Sequence, residues 1–170
     1  MMRLSVRSQH IVKSVCYSLL SLFAVVFSAS LFPALHLSVG TPQLSVAIIA
    51  SLAMLEGIKY ASFFAVALGT IESFILGENP LVYIIFYVGF AFLCTLLFGS
   101  FFTRSYFALS LYTFGGILLR AALGLFRPVT EWDVSAADIF VDGTAQSIFL
   151  SVIFSLFIFQ AVSKIKRKTE

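Results

Sequence analysis

Apolar residues run along this chain in blocks close to the length that crosses a bilayer as a helix, about 20 residues. One block runs from Val15 to Leu35, with Pro33 near its exit. Others cover Leu81 to Gly99, entered after the breaker pair Asn79-Pro80, then Tyr106 to Phe126, and Thr144 to Val162. The stretch from Gln43 to Leu76 is too long for one span. As a single helix it would measure about 51 Å, against a hydrocarbon core of about 30 Å. Its middle reads Glu56-Gly57-Ile58-Lys59, two charges around a glycine. The pattern therefore predicts a hairpin, Gln43–Leu55 followed by Tyr60–Leu76. Its first arm is short, which requires a tilted, locally thinned or protein-shielded segment.

The expected architecture is an all-α polytopic membrane protein with six transmembrane helices, at about 15–35, 43–55, 60–76, 81–99, 106–126 and 144–162. A cytoplasmic segment, 1–14, precedes this single domain of 15–162, and a basic cytoplasmic tail, 163–170, follows it. Charge placement supports the count. With six spans and a cytoplasmic start, Arg3, Arg7, Lys13, Lys59, Arg104, Lys164, Lys166, Arg167 and Lys168 all lie inside. That is nine of the eleven Lys and Arg residues. With five spans, the Lys164–Lys168 cluster would fall outside. Both termini are thus expected in the cytoplasm. The first span has a basic start and the small residues Ser28-Ala29-Ser30, as a cleaved signal would. Its apolar run exceeds the 7–15 residues of a signal's core, so it is expected to stay.

Composition agrees with this reading. Of 170 residues, 60% are hydrophobic and 11% charged, and the mean hydropathy is +1.03. A water-soluble domain of this length cannot hide that much apolar surface, which argues against a soluble enzyme or a nucleic-acid-binding module. The net charge of +3 belongs to the cytoplasmic ends of spans rather than to nucleic acid. The segment from Arg127 to Gly143 is the one long loop, and it is acidic. Thr130 is placed to cap a short interfacial helix from Glu131, with Trp132 at interface depth.

Candidate chemistry is sparse. His10 and His36 lie at opposite ends of the first span and cannot share a metal. Cys16 and Cys94 sit in apolar stretches as small packing residues. No metal-ligand set, nucleophile motif or phosphate loop is present, so no cofactor, metal or catalytic residue is expected. Two charges inside spans stand out: Glu72 in the third and Arg120 in the fifth. A charge there is costly and faces protein, water or an opposite charge. Both spans run the same way, which puts the two at similar depth and makes them candidates for an intramembrane pair or a ligand or proton site. Ala61, Ala65 and Gly69 recur every four residues, as do Ala47 and Ser51. Such stripes allow close helix approach, either within the chain or against a partner.

The run from Pro42 to Arg104 resembles the rod shape-determining protein MreD family. The features that carry the resemblance are Pro42 opening a short second span, Gly57 beside a charge, and Ala65 and Gly69 in the third span. Glu72 and Gly77 follow, then a span with Tyr83, Tyr87 and Gly89 and a basic exit at Arg104. The family's acidic residue is usually aspartate, so Glu72 is a departure that keeps the charge. The rest of the chain matches by length and span count. The resemblance implies a non-enzymatic subunit of the bacterial elongation machinery in the cytoplasmic membrane. Its partner would be an MreC-like bitopic protein, and through it MreB and the wall synthases, with membrane lipids around it and homo-oligomers possible. It also implies a fold like the substrate-binding subunits of energy-coupling-factor transporters. That likeness sets the alternative, a vitamin-binding transporter subunit, in which Glu72, Tyr83, Arg120 and Trp132 would converge on a solute.

Overall fold

The structure is a computed structural model describing residues 6–31, 42–77, 79–100, 106–131 and 145–169. Among these residues there are six α-helices and no strands. Helix α1 spans Val6–Val26 and runs on into a π-helical turn, Phe27–Leu31. Then come α2, Leu44–Leu55; α3, Ile58–Leu76; α4, Pro80–Ser100; α5, Tyr106–Glu131; and α6, Ala145–Thr169. Four stretches, Gln9–Ser30, Ile58–Leu76, Pro80–Leu97 and Ser147–Thr169, are long and apolar enough to cross a membrane. Leu44–Leu55 and Tyr106–Ala122 are shorter apolar helices. Large apolar side chains such as Phe63, Phe74, Ile85, Phe107 and Phe149 stand out from the bundle. Such a surface suits lipid rather than water, and the chain is a multi-pass, all-α membrane protein.

The centre of the bundle is α2. All its residues are buried, and it packs against each of the other five helices. A helix that is apolar on every side belongs in a core, and LSVAIIASLAML is such a sequence. At 1.5 Å per residue it is about 18 Å long, short of a 30 Å core. Its polar ends are therefore enclosed by protein, which makes it the shielded kind of short segment.

Two glycines set the chain reversals on either side of α3. After α2 the backbone turns at Glu56–Gly57, whose N–H groups both donate to Leu52 O, at 2.8 and 3.1 Å. Gly57 has φ +84° and ψ −175°, a region open essentially to glycine alone. A Cβ built there meets nothing within 4 Å, so any substitution is penalised by backbone strain only. Gly57→Ala is expected to lower stability by about 1–3 kcal/mol, read as a drop in the unfolding midpoint in detergent. An unchanged midpoint would contradict this turn geometry. At the far end of α3, Gly77 closes the helix at φ +67°, its N–H donating to Ser73 O. Pro80 then opens α4 where its missing N–H costs nothing.

One expectation needs correction, and two segments gain detail. Within the segment 1–14, α1 begins at Val6, and Lys13 is buried at 7% exposure. The tail expected from 163 continues α6 to Thr169. Thr130 does not cap a new helix, because α5 runs unbroken through Pro128 and Thr130 to Glu131. The rest of the expected interfacial helix, Trp132 included, lies outside the described residues, as does His36.

Candidate functional site

Glu72 lies four residues before the end of α3 and is buried. Its carboxylate is held by three side chains from three other helices. Ser45 Oγ, in the first turn of α2, donates to Oε1. The Tyr87 hydroxyl, from α4, donates to Oε2 at 2.5 Å. Arg120 Nη2, from α5, stands 3.1 Å from Oε2. The guanidinium also lies over the Tyr83 ring, 5.7 Å from its centroid. Tyr83 and Tyr87 are four residues apart, so they share one face of α4. One tyrosine thus meets the cation and the other the anion. A buried carboxylate needs this degree of pairing, since an isolated charge in an apolar setting is very costly.

The sequence singled out Glu72 and Arg120, and the structure brings them together. Ser45 was not foreseen as a partner and Tyr87 was noted only as a family-like aromatic, whereas Tyr83 was also named as a residue that could converge with Glu72 and Arg120 on a solute. The i, i+4 spacing of the tyrosines was the available signal. The stripe Ala61, Ala65, Gly69 is buried within the bundle, so these residues present no free face to a partner. A Cβ on Gly69 would lie 3.0 Å from Ile84 N and 3.1 Å from Tyr83 C, both backbone atoms of α4. Gly69 therefore lets the backbones of α3 and α4 touch one turn from Glu72. Gly116, which the sequence did not mark, does the same against side chains. Its Cβ would come within 2.5 Å of the Phe90 ring and 2.6 Å of Val46.

A cavity of about 250 Å³ opens beside the ion pair. Val25 from the end of α1, Ser28 from the π-helical turn, Gln43 before α2, Ile75 from α3, and Glu72 and Arg120 themselves line it. Gln43 donates its backbone N–H to Ser151 Oγ at 2.7 Å, but its buried Oε1 has no hydrogen-bond partner. The wall on the α1 side includes part of the π-helical turn, a feature often found at functional sites.

A second polar cluster occupies the opposite end of α3. Lys13 Nζ is 2.7 Å from Glu56 Oε2, and the Tyr17 hydroxyl donates to Glu56 Oε1 at 2.8 Å. Lys13 also lies 5.6 Å from the Tyr60 ring centroid, and His10 Nδ1 is 3.1 Å from the Tyr60 hydroxyl. Lys166 Nζ donates to Leu55 O at 2.5 Å, at the C-terminus of α2 where a cation is favoured. The sequence marked Glu56 and Lys59 only as a turn, and Lys59 is in fact exposed. Glu56 and Glu72 are sixteen positions apart, about 24 Å along a helix. Two ion pairs at that separation fit near the two faces of a hydrocarbon core about 30 Å thick.

Among the described residues, no three His, Cys, Asp or Glu side chains gather as a metal site. No family model, curated protein or solved structure matches this chain.

Proposed function

We propose that this chain is a non-enzymatic subunit of the bacterial cell-shape machinery, multi-pass in the cytoplasmic membrane with both termini in the cytoplasm. In this reading it scaffolds peptidoglycan synthesis through an MreC-like bitopic protein. The reading rests on the likeness to the MreD family from Pro42 to Arg104. The observation that carries it is where the residues of that likeness lie. Gly57 and Gly77 occupy left-handed turns, and Gly69 a backbone contact. Glu72 is the hub of four helices. These positions thus have structural reasons to be glycine or acidic, beyond chance similarity of apolar runs. The residues exposed on the bundle are largely apolar, and such a surface can seat a single-span partner helix.

The cavity beside Glu72 and Arg120 favours the second reading, a solute-binding subunit of an energy-coupling-factor-type vitamin transporter. Purification of the tagged chain from its own membranes separates the two. The scaffold reading expects a bitopic periplasmic protein of MreC type to co-purify in stoichiometric amount. Co-purification of ATP-binding cassette subunits, or a vitamin released on denaturation, would contradict it.

A further inference from the structure

The polar cavity has an apolar neighbour. A groove of about 350 Å³ runs between α1 and α6, and its walls include Leu20, Phe23, Phe27, Leu44, Phe154 and Phe157. The two spaces share a boundary in the chain. Phe27 lines the groove and Ser28 the cavity; Leu44 lines the groove and Gln43 the cavity. From Phe27 to Leu20 the groove follows α1 for about 10 Å, away from the helix ends and toward the middle of the bundle. Glu72, by contrast, is about 6 Å from the end of α3, near the mouth of the bundle. A polar chamber at the mouth, with an apolar trough beside it running inward, has the layout of a lipid rather than of a compact solute.

The chamber's chemistry narrows the headgroup. Arg120 gives one nitrogen to Glu72 and also hydrogen-bonds Tyr83, and of the five N–H donors of a guanidinium others remain, well suited to a phosphate. Gln43 Oε1 is a buried acceptor that lacks a donor. Glu72 Oε1 accepts from Ser45, and a carboxylate oxygen has a second lone pair for another donor. The charges of Glu72 and Arg120 cancel, so a zwitterionic guest leaves no unbalanced buried charge, whereas an anionic one would. We propose that the structure holds a phospholipid site. The phosphate and primary ammonium of a phosphatidylethanolamine-type headgroup sit in the Gln43–Glu72–Arg120 cavity, and one acyl chain lies in the groove between α1 and α6. The phosphate meets Arg120, and the ammonium donates to Gln43 Oε1 and Glu72 Oε1. This site does not depend on which protein the bundle serves as a subunit.

Native mass spectrometry of the delipidated full chain, titrated with dioleoyl lipids, tests it. Phosphatidylcholine carries the same phosphate and net charge but no ammonium N–H. The wild type is expected to bind one phosphatidylethanolamine about tenfold more tightly than phosphatidylcholine, the scale of one lost charged hydrogen bond. Phosphatidylglycerol is expected to bind more weakly than phosphatidylethanolamine. In Gln43→Leu the preference for phosphatidylethanolamine over phosphatidylcholine should shrink but persist, because Glu72 Oε1 remains as an acceptor for the ammonium. The readout is a ratio within one variant, so a general loss of stability does not imitate it. Ala161→Trp, on the groove wall, should weaken both lipids together and leave their ratio unchanged. Free O-phosphoethanolamine should fail to displace the lipid at equal concentration, because it has no chain for the groove. Equal affinity for phosphatidylethanolamine and phosphatidylcholine in the wild type would overturn the proposal. So would displacement by the free headgroup, or a vitamin-sized adduct in place of the lipid.

Discussion

Arg120→Leu is expected to cost about 3–5 kcal/mol, because it leaves the Glu72 carboxylate buried and unpaired among apolar helices. Glu72→Leu should cost a similar amount, and it also strands the hydroxyls of Ser45 and Tyr87, which donate to that carboxylate. The double variant should recover a substantial part of the loss, since two leucines bury no charge. Unfolding midpoints in detergent, taken through the four-member cycle, isolate the coupling. Arg120→Lys keeps the charge but not the planar fork that reaches the carboxylate while covering the Tyr83 ring. It should fall between the wild type and the leucine variant. Additive losses would mean that the two side chains stabilise the bundle independently, contrary to a geometry with 3.1 Å between them.

Gly69→Leu is the second large effect. Even the first carbon of a side chain would press on α4 backbone atoms at 3.0–3.1 Å, and backbone cannot rotate out of the way. Helix α4 must then move off α3, carrying Tyr83 and Tyr87 away from Arg120 and Glu72. Gly69→Ala is expected to cost about 1–3 kcal/mol, with leucine costing more. Two other glycines serve as controls. Gly116→Ala would press on the Phe90 ring at 2.5 Å and a Val46 methyl at 2.6 Å, both buried in the core, so it should destabilise as well. Gly89→Ala meets nothing within 4 Å inside α4 and should be neutral or stabilising by up to about 1 kcal/mol. Lower unfolding midpoints for the Gly69 and Gly116 variants than for Gly89→Ala test the packing directly. A Gly69→Ala protein as stable as the wild type would show that α3 and α4 do not touch there.

Much of this arrangement was readable because apolar spans make charges conspicuous. Glu72 and Arg120 stood out because little else in their spans is charged, and similar depth followed from counting residues to the helix ends. The hairpin at Glu56–Gly57 was readable for the same reason, as a largely apolar stretch of 34 residues is too long to cross a 30 Å core once. Side chains that are ordinary in membrane helices gave no such contrast. Ser45 is one serine among many, and its bond to Glu72 depends on where α2 sits in the bundle. Gln43 reads in the sequence only as the edge of a span. Lys13 falls in the cytoplasmic segment 1–14, and the sequence counts it only among the inside charges. Its pairing with Glu56 joins residues 43 positions apart, and only the packing of α1 on the α2–α3 turn creates it. The inward direction of the Ala61–Ala65–Gly69 stripe also required the neighbouring helix, since periodicity marks a face without saying what covers it.

The central claim is that this chain serves cell shape, and depletion in its own host tests it most directly. The chain is placed under a repressible promoter, and cell width is followed by microscopy as the protein is diluted out. The account predicts that rod-shaped cells widen and round up before growth stops, and that the wild-type chain restores their width. Unchanged shape together with lost uptake of a vitamin would contradict it.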